Sequence, residues 1–181
     1  MTQLPKSFRK HCEVISAELR RELGLRIFDP LPASQLARKY GVILCRPDEM
    51  EMSQEVIDYF LQSDNWWGII FPVEPRVIVY NPHQSSARYE STIMHELAHL
   101  ILEHPLECIY FAPDGTFTRD FDSTVEAEAA YLGSCLQIPR RGLLWALQKG
   151  MSDKEVAHHF GASLEMVHWR QNAVNSERKS N

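Results

Sequence analysis

Met94-His95-Glu96-Leu97-Ala98-His99-Leu100-Ile101-Leu102-Glu103-His104-Pro105 is the stretch that organises this chain. Met94, Leu97, Ala98, Ile101 and Leu102 form one apolar stripe at helical spacing. His95 and His99 lie at its margin. Four residues on a helix turn through about 400°, so the two imidazoles sit about 40° apart and can reach one metal ion. Glu96 points sideways from the pair, placed to take a proton from a water that a metal would acidify. At this composition a His-Glu-x-x-His pattern arises by accident in about 3 chains in 100. Accidental matches seldom fall in register on an amphipathic helix.

Two nitrogens do not complete a site, so a third protein ligand is required. On a continuing helix His104 is rotated about 500° from His99 and points away from the pair. Pro105 stands where the last His of an extended HExxHxxGxxH pattern would be. His104 then reads as a cation at the helix end or as a group behind the ligands. Better candidates lie in Val125-Glu126-Ala127-Glu128-Ala129-Ala130 on a later helix. Spacing favours Glu126. Ser123-x-x-Glu126 also fits a capping box, in which Glu126 only closes the helix start. Glu128 is the alternative, or simply a solvated carboxylate.

Working outward, the spacing predicts helices over residues 6–23, 32–41, 53–62, 85–103 and 123–137, with Gly24 and Pro105 as stops. Short strands are expected over 42–45, 66–71 and 76–80, the last two joined by a tight connection at 72–75. Pro113-Asp114-Gly115 marks a turn between short extended pieces. Residues 140–174 read as helices broken at Gly161. The class is α+β: a small β-sheet packed on the motif helix, with helices before and after. One domain over 1–181 is expected, with an N-terminal helix in 1–30, a core in 31–139 and C-terminal helices in 140–175.

Composition narrows the partners. The chain has 181 residues, 44% hydrophobic, and a net charge of −5. That excludes disorder as the main state and disfavours a nucleic-acid-coating protein. Cys12, Cys45, Cys108 and Cys135 form no CxxC pair and read as reduced thiols. No secretory pattern opens the chain and no apolar run approaches membrane length, so a cytoplasmic protein with no membrane partner is expected. Of the 8 histidines, His11, His83, His158, His159 and His168 carry no assigned chemistry.

With these residues in place, 31–139 resembles the ImmA/IrrE metallo-endopeptidases, which are zincin-like. Four stretches carry the likeness: Leu36-Ala37-Arg38-Lys39-Tyr40-Gly41-Val42, Val77-Ile78-Val79-Tyr80-Asn81-Pro82, the motif helix through His104, and Glu126-x-Glu128-Ala129 through Leu136-x-Ile138-Pro139. The resemblance implies His95, His99 and Glu126 as metal ligands and Glu96 as general base. By donor chemistry a His, His, Glu set suits Zn²⁺ first, with Mn²⁺ or Fe²⁺ able to occupy it depending on supply. The resemblance also implies site-specific cleavage of a protein substrate, a helix-turn-helix repressor or an antitoxin of a phage or mobile element. The sequence departs from the family at Ala130, where an amide or acid is common, and at Leu132-Gly133 in place of Phe-Ala.

An extended substrate would pair with the edge of the 66–71 run, unless that strand is simply buried. Tyr131, Arg119 and Tyr110 are candidate donors to the transition-state oxyanion. The competing reading is a helix-turn-helix-like regulatory or binding protein with a structural or degenerate metal site. Ser152-x-x-Glu155 opens one helix, Gly161-Ala162-Ser163 turns the chain, and Ser163 caps the next. From Lys149 onward five Lys/Arg face four Asp/Glu, a surplus of one, so direct nucleic-acid binding is the weaker expectation.

Overall fold

The computed structural model describes residues 4–62, 66–71, 73–105, 110–111, 117–118 and 122–179. The turn expected at Pro113-Asp114-Gly115, the thiol of Cys108, and the side chains of Tyr110 and Arg119 lie outside the described residues. The architecture is mixed, with eight described helices and a three-stranded sheet.

Helix α1 (Lys6–Glu22) buries Cys12, Ser16, Leu19 and Arg20 along one face. Gly24 follows at φ 71°, the left-handed conformation that ends the helix at little steric cost. Helix α2 (Ala33–Lys39) leads into β1 (Ile43–Cys45). After a 3-10 turn at Pro47–Glu49 comes α3 (Gln54–Gln62), then β2 (Gly68–Phe71) and β3 (Val77–Tyr80). The sheet order is β1-β3-β2. The expected antiparallel partners β2 and β3 pair from Gly68↔Tyr80 to Phe71↔Val77, while β1 joins β3 in parallel. Asn81, buried after β3, donates to Trp66 O and accepts from His83 N–H, turning the chain toward the next helix.

Helix α4 (Ser86–Ile101) starts on Ser85, whose hydroxyl accepts from Arg88 N–H. A two-stranded piece, β4 (Tyr110–Phe111) with β5 (Phe117–Thr118), precedes α5 (Ser123–Gln137). Then follow α6 (Arg140–Gln148), α7 (Asp153–Phe160) and α8 (Leu164–Lys179).

The main core joins α1, α2, α4, α5 and the sheet, with Cys12, Leu36, Ile78, Ile93, Met94, Leu97, Leu132 and Leu136 at its centre. Residues 6–22 thus contribute directly to the core that carries the motif helix. A second cluster holds α6–α8 together around Leu143, Val156, Phe160 and Val167, and a third packs α3 onto the outer sheet around Phe60 and Trp66. The Ser152/Glu155 capping box forms, Gly161 takes φ 62°, and Ser163 Oγ accepts from Met166 N–H, so two helices joined by a turn appear where those residues predict them.

Helix α5 ends inside the protein. Its last carbonyls have no intrahelical partner and are capped from two other helices. Arg20 donates to Leu136 O at 2.8 Å and Gln137 O at 3.4 Å, and Arg170 donates to Ile138 O at 2.8 Å. Both arginines are fully buried. Ser16 Oγ adds a bond to Cys135 O.

Cys12, Cys45 and Cys135 are buried free thiols. Burial, with Glu13 adding to it, pushes Cys12 up from 9.0 to about 12. The folded thiol therefore stays protonated where the unfolded one ionises. Its contribution to stability is full below pH 9 and is lost as pH rises toward 12. The expected loss is about 1.4 kcal/mol per pH unit in that window. Urea unfolding at pH 8 and pH 10 should show a smaller alkaline loss for Cys12→Ala than for the unaltered chain.

Candidate metal centre

Two helices build the site. Helix α4 supplies His95, Glu96 and His99 from successive turns, and α5 crosses it and brings in Glu126. Gly133 sits at the close crossing. A Cβ there would lie 3.2 Å from His95 Cα, His95 N and Met94 O, so an added methyl would require the two helices to give by a few tenths of an ångström. The departure at Leu132-Gly133 is thus a contact residue directly over the first histidine.

His95 Nε2 lies 3.1 Å from Glu126 Oε2, His99 Nε2 lies 3.4 Å from Glu126 Oε1, and the two Nε2 atoms are 3.2 Å apart. These three side chains offer ligand atoms that all fall within 4.8 Å of one another. Three Lewis bases aimed at one point, two imidazoles and a carboxylate, fit a divalent ion of the zinc type. His99 is 3% exposed, so the ion would sit at the edge of the core. Burial raises the Glu126 carboxyl, but hydrogen bonds and charge from His95 and His99 more than offset it and hold the group well below the usual carboxylate range.

The alternative role for Glu126 does not form. Asp122, one residue before the expected cap, takes that position and accepts from Thr124 N–H at 2.8 Å and Val125 N–H at 3.4 Å. Glu126 is thereby left to face α4. Glu128 is not in the ligand cluster. Two residues along a helix turn about 200°, so Glu126 and Glu128 cannot both face one ion.

His104 does not point away from the pair; it stands behind His99, the second of the two places expected for it. The helix stops at Ile101 in a Schellman turn. Glu103 takes φ 54°, its N–H donates to Leu100 O, and His104 N–H donates to His99 O at 3.0 Å. The chain reverses over its last turn and lays His104 on His99, with their Nδ1 atoms 3.1 Å apart. On the far side His104 Nε2 is 3.2 Å from Glu128 Oε2. The 500° rotation applies only to a continuing helix. Burial pushes His104 below its usual range, with Glu128 opposing.

Glu96 is buried, 3% exposed, beneath the start of β2. A methyl at Gly68 would meet Thr92 Cγ2 at 2.5 Å and lie 3.6 Å from Glu96 Cγ, so only glycine lets β2 pass this close. Tyr131 is drawn into the α5–α8 interface, its ring 5.8 Å from Trp169 and 5.7 Å from the Arg170 guanidinium.

A family model described as Peptidase_M78, the IrrE N-terminal-like domain, matches residues 37–172. The chain belongs to this family. The expected ImmA/IrrE likeness is therefore shown, and the match runs past Pro139 to take in α6, α7 and part of α8. No curated protein matches this IrrE-like chain. A solved structure described as a Mycobacterium tuberculosis transcriptional regulator aligns with TM-score 0.55 and 14% identity. The alignment covers 90% of this chain and 50% of that one, so the IrrE-like chain spans about half the regulator's length. At that identity the likeness is one of fold. Among the described residues no helix is long and apolar enough to cross a membrane.

Proposed function

We propose that this protein is a metal-dependent endopeptidase with a zincin-like core, whose substrate is a DNA-binding repressor or antitoxin. The observation that carries the reading is the convergence of His95, His99 and Glu126 on one point, with the buried Glu96 in the same turn of α4. His95 and His99 would hold the ion through Nε2, and Glu126 through its carboxylate. Zn²⁺ suits the set first, with Mn²⁺ or Fe²⁺ able to take it. Such an ion supplies Lewis acidity toward a carbonyl and a water. Glu96 accepts the proton of the attacking water and delivers it to the leaving amine nitrogen.

The sheet supports an extended substrate. Trp67 O accepts from Asn81 N–H, so Trp67 lies on the paired side of the ladder. By alternation Gly68 and Ile70 turn their peptide groups to the outer edge of β2. A peptide added there runs beside Glu96. Exposed Trp67, with Arg88 stacked at 4.2 Å, stands at the start of that edge. The family and the regulator-like fold favour a regulatory protein as substrate.

A regulatory protein with a structural metal is the second reading, favoured by the same regulator-like fold and by the α7–α8 pair. The exposed start of α8 argues against DNA as its partner. It presents Leu164, Glu165 and His168, and His168 is 3.0 Å from Asp153. Such a face offers phosphates little attraction.

Elemental analysis is expected to find one metal per chain, lost in His95→Ala and Glu126→Ala. Incubation with its DNA-binding repressor or antitoxin substrate should give two defined fragments, and a chelator should stop the cleavage until Zn²⁺ is restored. Salt-dependent binding of an operator fragment without cleavage would instead establish the second reading.

A further inference from the structure

We propose that Glu128, acting through His104, sets the tautomer of His99 and so holds the His99 Nε2 lone pair toward the metal position. This rests on the metal reading above and gives roles to two residues outside the ligand set. The atoms form a continuous line: Glu128 Oε2 to His104 Nε2 at 3.2 Å, His104 Nδ1 to His99 Nδ1 at 3.1 Å, and His99 Nε2 to the cluster with His95 and Glu126.

Proton counting along this line leaves one consistent arrangement. In the contact with Glu128 the carboxylate oxygen is the acceptor, so His104 Nε2 carries the hydrogen. A neutral His104 then has a bare Nδ1. The hydrogen shared between the two Nδ1 atoms must sit on His99, which leaves His99 Nε2 bare. The reverse arrangement, with His104 protonated at Nδ1, would put the hydrogen of a neutral His99 on Nε2, inside the donor cluster. That form cannot ligate.

The fold makes this line deliberately short. A Schellman turn ordinarily closes with an apolar contact over the last helical turn. Here the contact is one imidazole on another, 5.1 Å between ring centroids. His104 is a positioning residue, and so is Glu128.

The test is Zn²⁺ affinity of the intact chain, measured in competition with a chromophoric chelator, with apo melting temperature alongside. Glu128→Met removes the acceptor at similar length and is expected to weaken binding about 10–100-fold, as is His104→Phe. His104→Asn places an amide oxygen where Nδ1 was and should restore affinity close to that of the unaltered chain. In that background Glu128→Met should add nothing, which a purely structural role would not produce. Nitrogen NMR of the Zn²⁺-loaded chain should show His104 protonated at Nε2 and His99 at Nδ1. Unchanged affinity in Glu128→Met, or His104 protonated at Nδ1, overturns the relay while the metal reading stands. Failure of the unaltered chain to bind Zn²⁺ overturns both.

Discussion

Glu96→Gln is expected to lower the rate of peptide-bond cleavage by about 10²–10⁴-fold with the metal content unchanged. The two halves of that result come from different parts of the site. The proposed ligand atoms belong to His95, His99 and Glu126, and Glu96 is not among them. Glutamine matches the size of glutamate, so the tight passage of β2 over Thr92 and Glu96 at Gly68 is undisturbed. What changes is basicity. An amide takes no proton from water and has none to return to the leaving amine. The loss corresponds to about 3–5 kcal/mol of transition-state stabilisation. It should appear in kcat, with KM little altered, because nothing at the outer edge of β2 has changed. Single-turnover cleavage of the repressor, with elemental analysis of the same sample, makes the comparison. Cleavage by Glu96→Gln at the rate of the unaltered chain would remove Glu96 from the mechanism. Loss of the metal would recast it as a structural member of the centre.

The convergence of His95 and His99 was readable because both residues lie inside one helix, where a spacing of four has a single geometric meaning. Glu126 was readable by chemistry, as the missing third donor, but its competing role was not excluded until Asp122 took the cap. His104 takes the second of the two roles read for it, a group behind the ligands, but its direction from the helix was misread for a definite reason. Periodicity assumes that the helix continues, and Glu103 leaves it at φ 54° without the glycine that usually marks such a turn. Pro105 was the one local sign that the helix had to stop. Gly133 looked like a mild change because sequence shows what a residue has, and here the absent Cβ is what matters. The strand pairing of β2 with β3 followed from their connection, whereas the parallel partner β1 is more than 20 residues away in sequence and no local pattern joins them.

Arg170→Met is expected to destabilise the protein by about 3–5 kcal/mol, the usual result of breaking a buried ion pair from one side. Arg170 is fully buried and sits among Val167 and Val174 on the inward stripe of α8, a place that spacing assigns to an apolar residue. It is charged because it serves three helices. Its Nε caps Ile138 O at the end of α5, its guanidinium pairs with Glu13 of α1, and Glu13 also accepts from Arg140 N–H at the start of α6. Methionine fills much of the same volume, so the loss is polar rather than a cavity. It leaves Ile138 O without its cap and Glu13 with a part-buried charge and one fewer donor. In a chain of this size the change corresponds to a fall in melting temperature of roughly 6–20 °C. Glu13→Gln in the same background should recover part of the loss, because the stranded charge is gone while Arg140 N–H and the Cys135 thiol keep an acceptor. Urea unfolding of the four members of this cycle measures the coupling, and additive losses would mean that Arg170 and Glu13 act separately. The same variants bear on the metal centre, since α5 carries Glu126 at one end and is anchored by Arg170 at the other. Arg170→Met should therefore bind Zn²⁺ normally while folded and release it at a lower temperature, whereas Glu126→Ala should release it without any change in the α5 anchor.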